Sequence, residues 1–446
     1  MSVRAEVRAN LKLALPLMAA QLAGVGMSTV DTIFAGRLGA QPLAAVAVGS
    51  NIHILFMVFF MGLLMACSPV VAHMVGAGRE AADIEAFARR ARGFALAAGL
   101  LWMLGLNLVA PPVLARLGLS AETTDQALWF VRDLSGSGVG FSLWFAQRFC
   151  AEGLGRTRPI FYAGVTGLLA NTLLDWLLMF GHWGLPRMGA PGAGAATTAS
   201  SLLMWAVLSL LVRRGHQAGQ ATSAATEGVG AILRLGLPIG LMFTAEGGLF
   251  VLASLLMARF GDATLAAYQV AINFASLLFM IPLGLGLATT VRVGHAAGAG
   301  AGAAARVRGL VGMGLGQINA ASNGAIMVWF GAAIAGFYSN DAGIAAAAAH
   351  FLLLAAAFQF FDGLQVTANG ALRGIKDTRI PMLITLVAYW LVGLPVAWWL
   401  AFRAGWGPDG LWWGLTAGLG AAAAGLSLRF LWRSHVNRTI GSEIMT

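Results

Sequence analysis

The sequence predicts an all-α integral membrane protein in which twelve transmembrane helices form two related six-helix bundles. Of its 446 residues, 59% are hydrophobic and only 10% are charged, whereas a soluble domain carries about 25% charged residues. Twelve stretches are each apolar over the roughly 20 residues that a spanning helix needs. The second half of the chain also repeats the first half at a constant offset, which predicts two bundles of six helices.

Each predicted span is a run of apolar residues that tolerates Gly and Pro, because both are common in membrane helices. The 59 glycines would let neighbouring helices pack closely. The spans lie near 12–35, 46–72, 94–115, 127–149, 160–181, 190–212, 234–257, 266–290, 310–337, 344–368, 380–402 and 409–432.

The distribution of basic residues predicts that both termini are cytoplasmic. With that orientation, 22 of the 28 Lys and Arg residues lie on the cytoplasmic side of the spans, which is the pattern of the positive-inside rule. The net charge of +10 is therefore explained by orientation in a lipid bilayer. No nucleic-acid partner is expected.

The two halves align when the second is shifted back by 222 positions. "LKLALP" (11–16) then matches "LRLGLP" (233–238), and "VAHMVGAG" (71–78) matches "VGHAAGAG" (293–300). The polar stretch 213–230 is the predicted cytoplasmic linker between an N-lobe (1–212) and a C-lobe (231–446). An even number of spans per repeat predicts a pseudo-two-fold axis along the membrane normal, with sites near the midplane at the repeat interface.

The repeat separates structural residues from functional ones. His73 and His295 occupy equivalent positions in both halves, so we interpret them and the GAG that follows each as loop-anchoring features. Asp31 instead aligns with Ala253, and Glu246 aligns with Gly24. Because one copy of the repeat folds without each of these acids, their retention indicates a function.

Four acidic residues lie inside predicted spans without matching buried bases: Asp31, Asp175, Glu246 and Asp362. Charges at this depth are costly, by roughly 2.5–3.5 kcal/mol on insertion scales, and by default mark a substrate or ion pathway. The alternative is that each acid is satisfied by interhelical hydrogen bonds.

Oxygen-bearing side chains in the first half are expected to gather around Asp31 and Asp175. Asn171 lies four residues before Asp175, on the same helical face, and Thr197 is predicted at a similar depth on the sixth span. Such hard oxygen ligands suit a small cation such as Na⁺. Two close carboxylates cannot both ionise cheaply, so the pair also suits a shared proton. Interhelical hydrogen bonding alone would equally explain Asn171 and Thr197.

Glu246 and Asp362 are the acids of the second half, and phenylalanines surround them in the sequence. A carboxylate beside aromatic faces can hold an organic cation, although Phe is common in membrane helices for other reasons. The candidate substrate cavity contains Phe243, Phe250, Phe274, Phe358 and Phe361.

Motifs for ATP use or hydrolysis are missing from the sequence. It contains no GxxxxGK phosphate-binding loop, no HExxH and no GxSxG. We therefore expect a protein that is not an enzyme, needs no cofactor and uses an ion gradient or the gradient of its substrate.

Several segments resemble the multidrug and toxic compound extrusion (MATE) transporters, most closely the bacterial NorM-like branch. "VDTIFAGRLG" (30–39) is similar to the first-span signature of that family. "GLGRTRPIFYAGVTGLLANTLLDWLLMFG" (153–181) resembles its fifth span, and "EGGLFVLASLLMARFG" (246–261) resembles its seventh. "DGLQVTANGALRGIKDTRIPM" (362–382) resembles the segment at its tenth span.

The resemblance implies a monomeric antiporter of the bacterial cytoplasmic (inner) membrane. It would export small cationic organic compounds by alternating access in exchange for H⁺ or Na⁺. By motif, Asp31, Asn171, Asp175 and Thr197 would form the N-lobe ion or proton site, with Na⁺ as the possible metal. Glu246 and Asp362 would be the C-lobe coupling pair. Phe358 stands where relatives can carry a tyrosine, so one ligand of a C-lobe cation site is missing.

The sequence also bears on two other functions. A lipid flippase of the same superfamily would tend to line its cavity with Arg, whereas the buried charges here are acidic. An intramembrane aspartyl protease would need Tyr-Asp and Gly-x-Gly-Asp settings, which neither Asp31 nor Asp362 has.

Overall fold

The computed structural model describes residues 2–213 and 227–443, which are helical almost throughout and contain no β-strand. The predicted fold class, an all-α membrane protein, is confirmed. Its helices are α1 (Val3–Leu38), α2 (Ala40–Met65), α3 (Cys67–Gly76), α4 (Ala81–Leu114), α5 (Ala121–Ser135), α6 (Ser137–Gly153), α7 (Arg158–Phe180), α8 (Ala190–Arg213), α9 (Val229–Met257), α10 (Asp262–Gly298), α11 (Gly302–Tyr338), α12 (Ala342–Gly374), α13 (Arg379–Leu386), α14 (Leu394–Trp398) and α15 (Pro408–Glu443).

Eleven helical segments of the described chain are long and apolar enough to cross a membrane, and they correspond to eleven of the twelve predicted spans. The remaining predicted span, near 127–149, is helical as α5 and α6, which meet at Gly136. Gly136 keeps helical backbone angles (φ −60°, ψ −26°), so the chain continues in the same direction. Arg132, Asp133 and Arg148 make this segment more polar than the others.

The chain divides into two compact units whose boundaries cut through helices. Unit 1 contains 1–18, 72–78 and 241–446, and unit 2 contains 19–71 and 79–240. Helix α1 therefore belongs to unit 1 as far as Met18 and to unit 2 beyond it, while α9 changes unit after Gly240. The predicted lobes, 1–212 and 231–446, differ from the units in these segments and stay a prediction. Of the predicted linker 213–230, residues 214–226 lie outside the described residues.

Unit 1 is built around α12, which packs against α10, α11 and α15. Small residues bring these helices close together: a Cβ added to Gly363 of α12 would lie 2.6 Å from the carbonyl oxygen of Gly316 on α11. Close backbone approach at glycines is the usual way in which membrane helices associate. His73 of α3 joins this unit through its Nε2 atom, which lies 2.7 Å from the carbonyl oxygen of Gly374. This contact supports the interpretation of His73 as an anchor.

Unit 2 positions the first acid group through a tight hairpin between α7 and α8. Helix α7 ends at Gly181, whose left-handed conformation (φ 77°) is the common helix C-terminal cap. The backbone N–H of Met188 then donates to the Leu178 carbonyl at 2.9 Å. A Cβ on Gly192 would lie 2.9 Å from the backbone of Leu178, so α8 starts in contact with α7. Residues on the facing sides of the two helices are thereby held together.

Candidate functional site

Three helices of unit 2 bring together all four residues predicted for the first acid site. Asp31 comes from α1, Asn171 and Asp175 from α7, and Thr197 from α8. The Thr197 hydroxyl donates to Oδ2 of Asp31 at 3.2 Å, and Nδ2 of Asn171 lies 3.5 Å from the Thr197 hydroxyl. The carboxyl groups of Asp31 and Asp175 are close enough to interact directly. The four side chains therefore form one cluster.

Unpartnered acceptor atoms are the distinctive feature of this cluster. Asp175 and Asn171 are fully buried, and Asp31 is 8% exposed. Four of their oxygens are buried without a hydrogen-bond partner: Oδ1 of Asp31, Oδ1 of Asn171 and both carboxylate oxygens of Asp175. Buried polar groups are normally paired because desolvation without a partner is costly. Within the described chain no Lys, Arg or His forms an ion pair with either aspartate.

An aromatic cluster lies next to the acid pair on α1 and α7. Phe34, one turn beyond Asp31, meets Phe180 of α7 edge to face with the ring centroids 5.7 Å apart. Trp176, the neighbour of Asp175, stacks on His182 at 4.0 Å. These ring contacts join the ends of α1 and α7 one turn beyond Asp31 and Asp175.

Unit 1 holds the second acid group, on α9 and α12. Asp362 is 3% exposed and Glu246 is half-buried, and the two carboxyl groups lie within electrostatic range of each other. The hydroxyl of Tyr389 donates to Oε1 of Glu246 at 3.3 Å. Tyr389 itself is 2% exposed, and its phenol also lies within electrostatic range of Asp362. Two acids and one phenol therefore share this site.

Tyr389 is the functional candidate that the sequence analysis missed. It lies in a π-helical segment, Val387–Gly393, between α13 and α14. π-Helical geometry is rare and is found frequently at functional sites. The chain has only four tyrosines, and a phenol inside an apolar span needs a hydrogen-bond partner. This requirement is the sequence signal that could have identified Tyr389 as a candidate. Tyr389 thus brings a phenol to the second acid group from a helix other than that of Phe358.

The predicted substrate-cavity phenylalanines take part in the packing of unit 1. Phe358 is 6% exposed and belongs to its hydrophobic core, against which Phe250, Phe274 and Phe361 also pack. Phe250 contacts Phe358 edge to face at 6.0 Å, and Phe243 is half-buried. Their role toward a substrate stays a prediction.

The expectation that the buried acids lack buried bases is wrong in one respect. Arg373 of α12 is 1% exposed and lies close enough to attract Glu246 electrostatically. Arg148 of α6 is 4% exposed and pairs with Glu152 at 2.9 Å. Both arginines lie at predicted cytoplasmic ends of spans, and the described helices bury them there. Among the described residues, no group of three or more His, Cys, Asp or Glu could hold a metal ion.

The MatE family model matches the chain twice, at residues 16–177 and 238–399. The two matches start 222 residues apart, which equals the offset of the internal repeat.

Several curated bacterial relatives align over nearly the full chain. A probable multidrug resistance protein NorM of Pseudomonas aeruginosa is 40% identical over 96% of this chain and 90% of its own length. Another NorM, from Deinococcus radiodurans, is 39% identical over 98% of both chains. PmpM, a multidrug resistance protein of Pseudomonas aeruginosa, is 38% identical over 96% of this chain and 91% of its own.

Solved structures match the fold over the whole chain. The eukaryotic MATE transporter AtDTX14 superposes with a TM-score of 0.84 and 22% identity, covering 98% of this chain and 99% of that one. An outward-facing multidrug resistance MATE transporter of the MOP superfamily gives a TM-score of 0.87 at 19% identity, covering 97% of both chains. At these identities the likeness concerns the fold alone.

Proposed function

Because the chain belongs to the MatE family, and within it resembles the NorM-like bacterial proteins, we propose that it is a secondary active multidrug efflux antiporter. It is a transporter and not an enzyme. Cationic organic compounds leave the cell in exchange for H⁺, and the first acid site can also accept Na⁺. The termini face the cytoplasm, and the protein works as a monomer in the bacterial inner membrane.

The observation that carries this proposal is the buried cluster around Asp31 and Asp175. Two adjacent carboxylates with no basic partner cannot both remain ionised and dry, because their mutual repulsion adds to the cost of burial. A proton or a small cation would relieve both costs at once. Release of that ion would leave the cluster charged and unsatisfied, which favours a different conformation. This difference between the loaded and empty states is what ion-coupled transport requires.

A proton is the simplest ion for both acid groups. At Glu246 and Asp362, one proton can bridge two carboxyl groups while the Tyr389 hydroxyl stabilises the remaining negative charge. Na⁺ needs several oxygen ligands together. The first cluster has the larger set, with two carboxylates, the Asn171 amide oxygen and the Thr197 hydroxyl. We therefore assign any use of Na⁺ to the first cluster, even though Tyr389 returns a phenol oxygen to the second.

Cationic substrates follow from the acidic character of both sites. A positively charged drug and the coupling ion can compete for the same negative charge, so binding of one favours departure of the other. Curated relatives are named as multidrug resistance proteins, which supports this class of substrate over lipid-linked precursors.

Export of a fluorescent cationic dye from efflux-deficient cells tests the proposal. Asp31→Asn should reach the membrane in normal amount, because it removes a desolvation cost, and should abolish energised export. Asp125→Asn, at an exposed position on α5 of the same unit, is the matched control and should export like the wild type. Wild-type export by a well-expressed Asp31→Asn protein would overturn the proposal.

Proteoliposomes then identify the ion. We expect dye transport to follow an imposed pH gradient without Na⁺, and any Na⁺ stimulation to disappear in Asn171→Ala. A Na⁺ requirement at every pH that survives both Asn171→Ala and Asp175→Asn would contradict this assignment of the ions.

A further inference from the structure

An open groove runs between the first turns of α1 and the start of α11, both within unit 1. Val3 and Val7 line it from α1, and Val307, Leu310, Val311 and Ile318 line it from α11. Its volume is about 490 Å³, and its wall is almost entirely aliphatic. A Cβ added to Gly314 would meet nothing within 4 Å, so this glycine leaves the floor of the groove open.

Basic residues surround the end of the groove at which both helices begin. At this end Glu6 is 2% exposed, and its carboxylate contacts two arginines. Arg292 binds it with both ends of the guanidinium group (2.7 and 2.6 Å), and Arg308 approaches it at 3.5 Å. This cluster ties α1 to α10 through Arg292 and to α11 through Arg308, and it carries one net positive charge.

Arg4, Arg8 and Arg306 add three more positive charges at this end. Arg4 and Arg8 are exposed one turn apart on α1, and Arg306 is half-buried next to Val307. Within residues 2–213 and 227–443, none of the three forms an ion pair. The cations are therefore available to an anion at the mouth of the aliphatic groove.

We propose that this groove is a binding site for one anionic phospholipid of the cytoplasmic leaflet. One acyl chain lies along the groove, and the headgroup phosphate is held by Arg4, Arg8 and Arg306. From Val307 to Ile318 the helix rises by about 16 Å, at roughly 1.5 Å per residue, which matches most of an extended lipid tail. Basic pockets between membrane helices on the cytoplasmic side bind anionic headgroups in this way.

Such a lipid would brace the first turns of α1 against unit 1. The same helix carries Asp31 after it enters unit 2, so the lipid would act on a helix that serves the ion site without touching that site. The choice of the cytoplasmic leaflet rests on the orientation of the termini proposed above. Lipid binding itself does not depend on the proposed transport and can be measured without it.

The test is binding of fluorescently labelled phosphatidylglycerol to the purified full chain in detergent, with labelled phosphatidylcholine as the neutral probe. We expect phosphatidylglycerol to bind at least tenfold more tightly. Each of Arg4→Gln, Arg8→Gln and Arg306→Gln should weaken it about fivefold, since a basic residue near the membrane surface contributes about that factor. Arg116→Gln, at an exposed position near the other end of the spans, should change binding by less than twofold.

Filling the groove tests the acyl-chain half of the site. Gly314→Leu should weaken phosphatidylglycerol binding at least tenfold, whereas Gly336→Leu, an equally open position on the same helix, should not. Val307→Trp narrows the groove from its exposed edge and should weaken phosphatidylglycerol binding in the same way. It serves as the test if Gly314→Leu fails to fold. Equal binding of the two lipids, or unchanged binding in the arginine variants, would show that the groove only contacts bulk lipid and would overturn the proposal of a specific site. Unchanged binding in both groove-filling variants would overturn the acyl-chain assignment.

Discussion

Replacing Asp175 by Asn should stabilise the protein while it removes transport. Asp175 is fully buried on α7, and neither of its carboxylate oxygens has a hydrogen-bond partner. Asparagine has nearly the same size, so the packing of α7 on α8 is kept. Its amide group adds two N–H donors close to the Asp31 carboxyl group, whose Oδ1 is also unpartnered. The variant therefore replaces a repulsive pair by a hydrogen-bonded one.

The size of the effect follows from the new hydrogen bond. A hydrogen bond to a charged group contributes roughly 1.5–3 kcal/mol. The wild-type pair already avoids part of its repulsion by holding a proton or cation, so we take the lower value, about 1.5 kcal/mol. For a unit of 150–250 residues, about 1 kcal/mol raises Tm by roughly 2–4 °C. The variant should thus unfold about 3–6 °C above the wild type.

Thermal unfolding in detergent, followed by tryptophan fluorescence, measures this shift, with Asp125→Asn as the exposed control. Added Na⁺ or a lower pH should raise the Tm of the wild type, since an ion that binds only the folded state stabilises it. Neither should raise the Tm of Asp175→Asn to the same extent. A variant that unfolds earlier than the wild type yet exports dye normally would show that Asp175 is a structural residue.

Three further outcomes concern unit 1. Glu246→Gln, Asp362→Asn and the double variant should each lose a similar share of dye export, because groups that act as a unit are not additive; additive losses would indicate two independent sites. Tyr389→Phe should fold normally and lose up to about tenfold in transport, the value of one long hydrogen bond to a carboxylate; unchanged rates relative to the exposed control Tyr162→Phe would exclude a role for the phenol. Gly363→Ala should lower the free energy of unfolding by about 1–3 kcal/mol, because the added methyl group overpacks against Gly316. Gly336→Ala, whose added methyl group faces open space, should leave the free energy of unfolding unchanged. Thermal unfolding measures both.

The positions of the helices could be predicted because the bilayer requires long apolar runs, and hydropathy reports them directly. The segment near 127–149 was the least regular, since Gly136 divides it and three charged residues lower its hydropathy. The division of α1 and α9 between compact units could not be predicted. It depends on contacts between distant parts of the chain, such as that between Glu6 and Arg292, which are 286 positions apart.

The first acid site could be predicted more completely than the second. Asn171 and Asp175 share a helical face, and hairpin pairing of neighbouring spans places Thr197 beside them, so local spacing was sufficient. Tyr389 reaches Glu246 across 143 positions, from a π-helical segment that shifts the register. Neither periodicity nor spacing reports such a contact. The burial of Arg373 was missed for the same reason, because it depends on which helices surround the end of α12.

Equivalent positions in the two halves differ in how tightly they are packed, which gives a physical reason for the asymmetry of the acids. At a glycine that both halves retain, the neighbouring helix packs closely in both units. Gly62 packs on the backbone of Gly240 within unit 2, and its equivalent Gly284 packs on Met18, the equivalent of Gly240, within unit 1. Such contacts need a small residue in both copies.

Where the repeat is broken, packing makes no such demand. Ala253, the equivalent of Asp31, is 3% exposed in the core of unit 1, and a Cβ on Gly24, the equivalent of Glu246, would meet nothing within 4 Å. One copy of the fold thus accommodates an apolar or absent side chain at each position, and the other holds a carboxylate that costs stability. Asp31→Ala should therefore fold and reach the membrane in normal amount, so that loss of dye export in this variant would support the ion site proposed at Asp31.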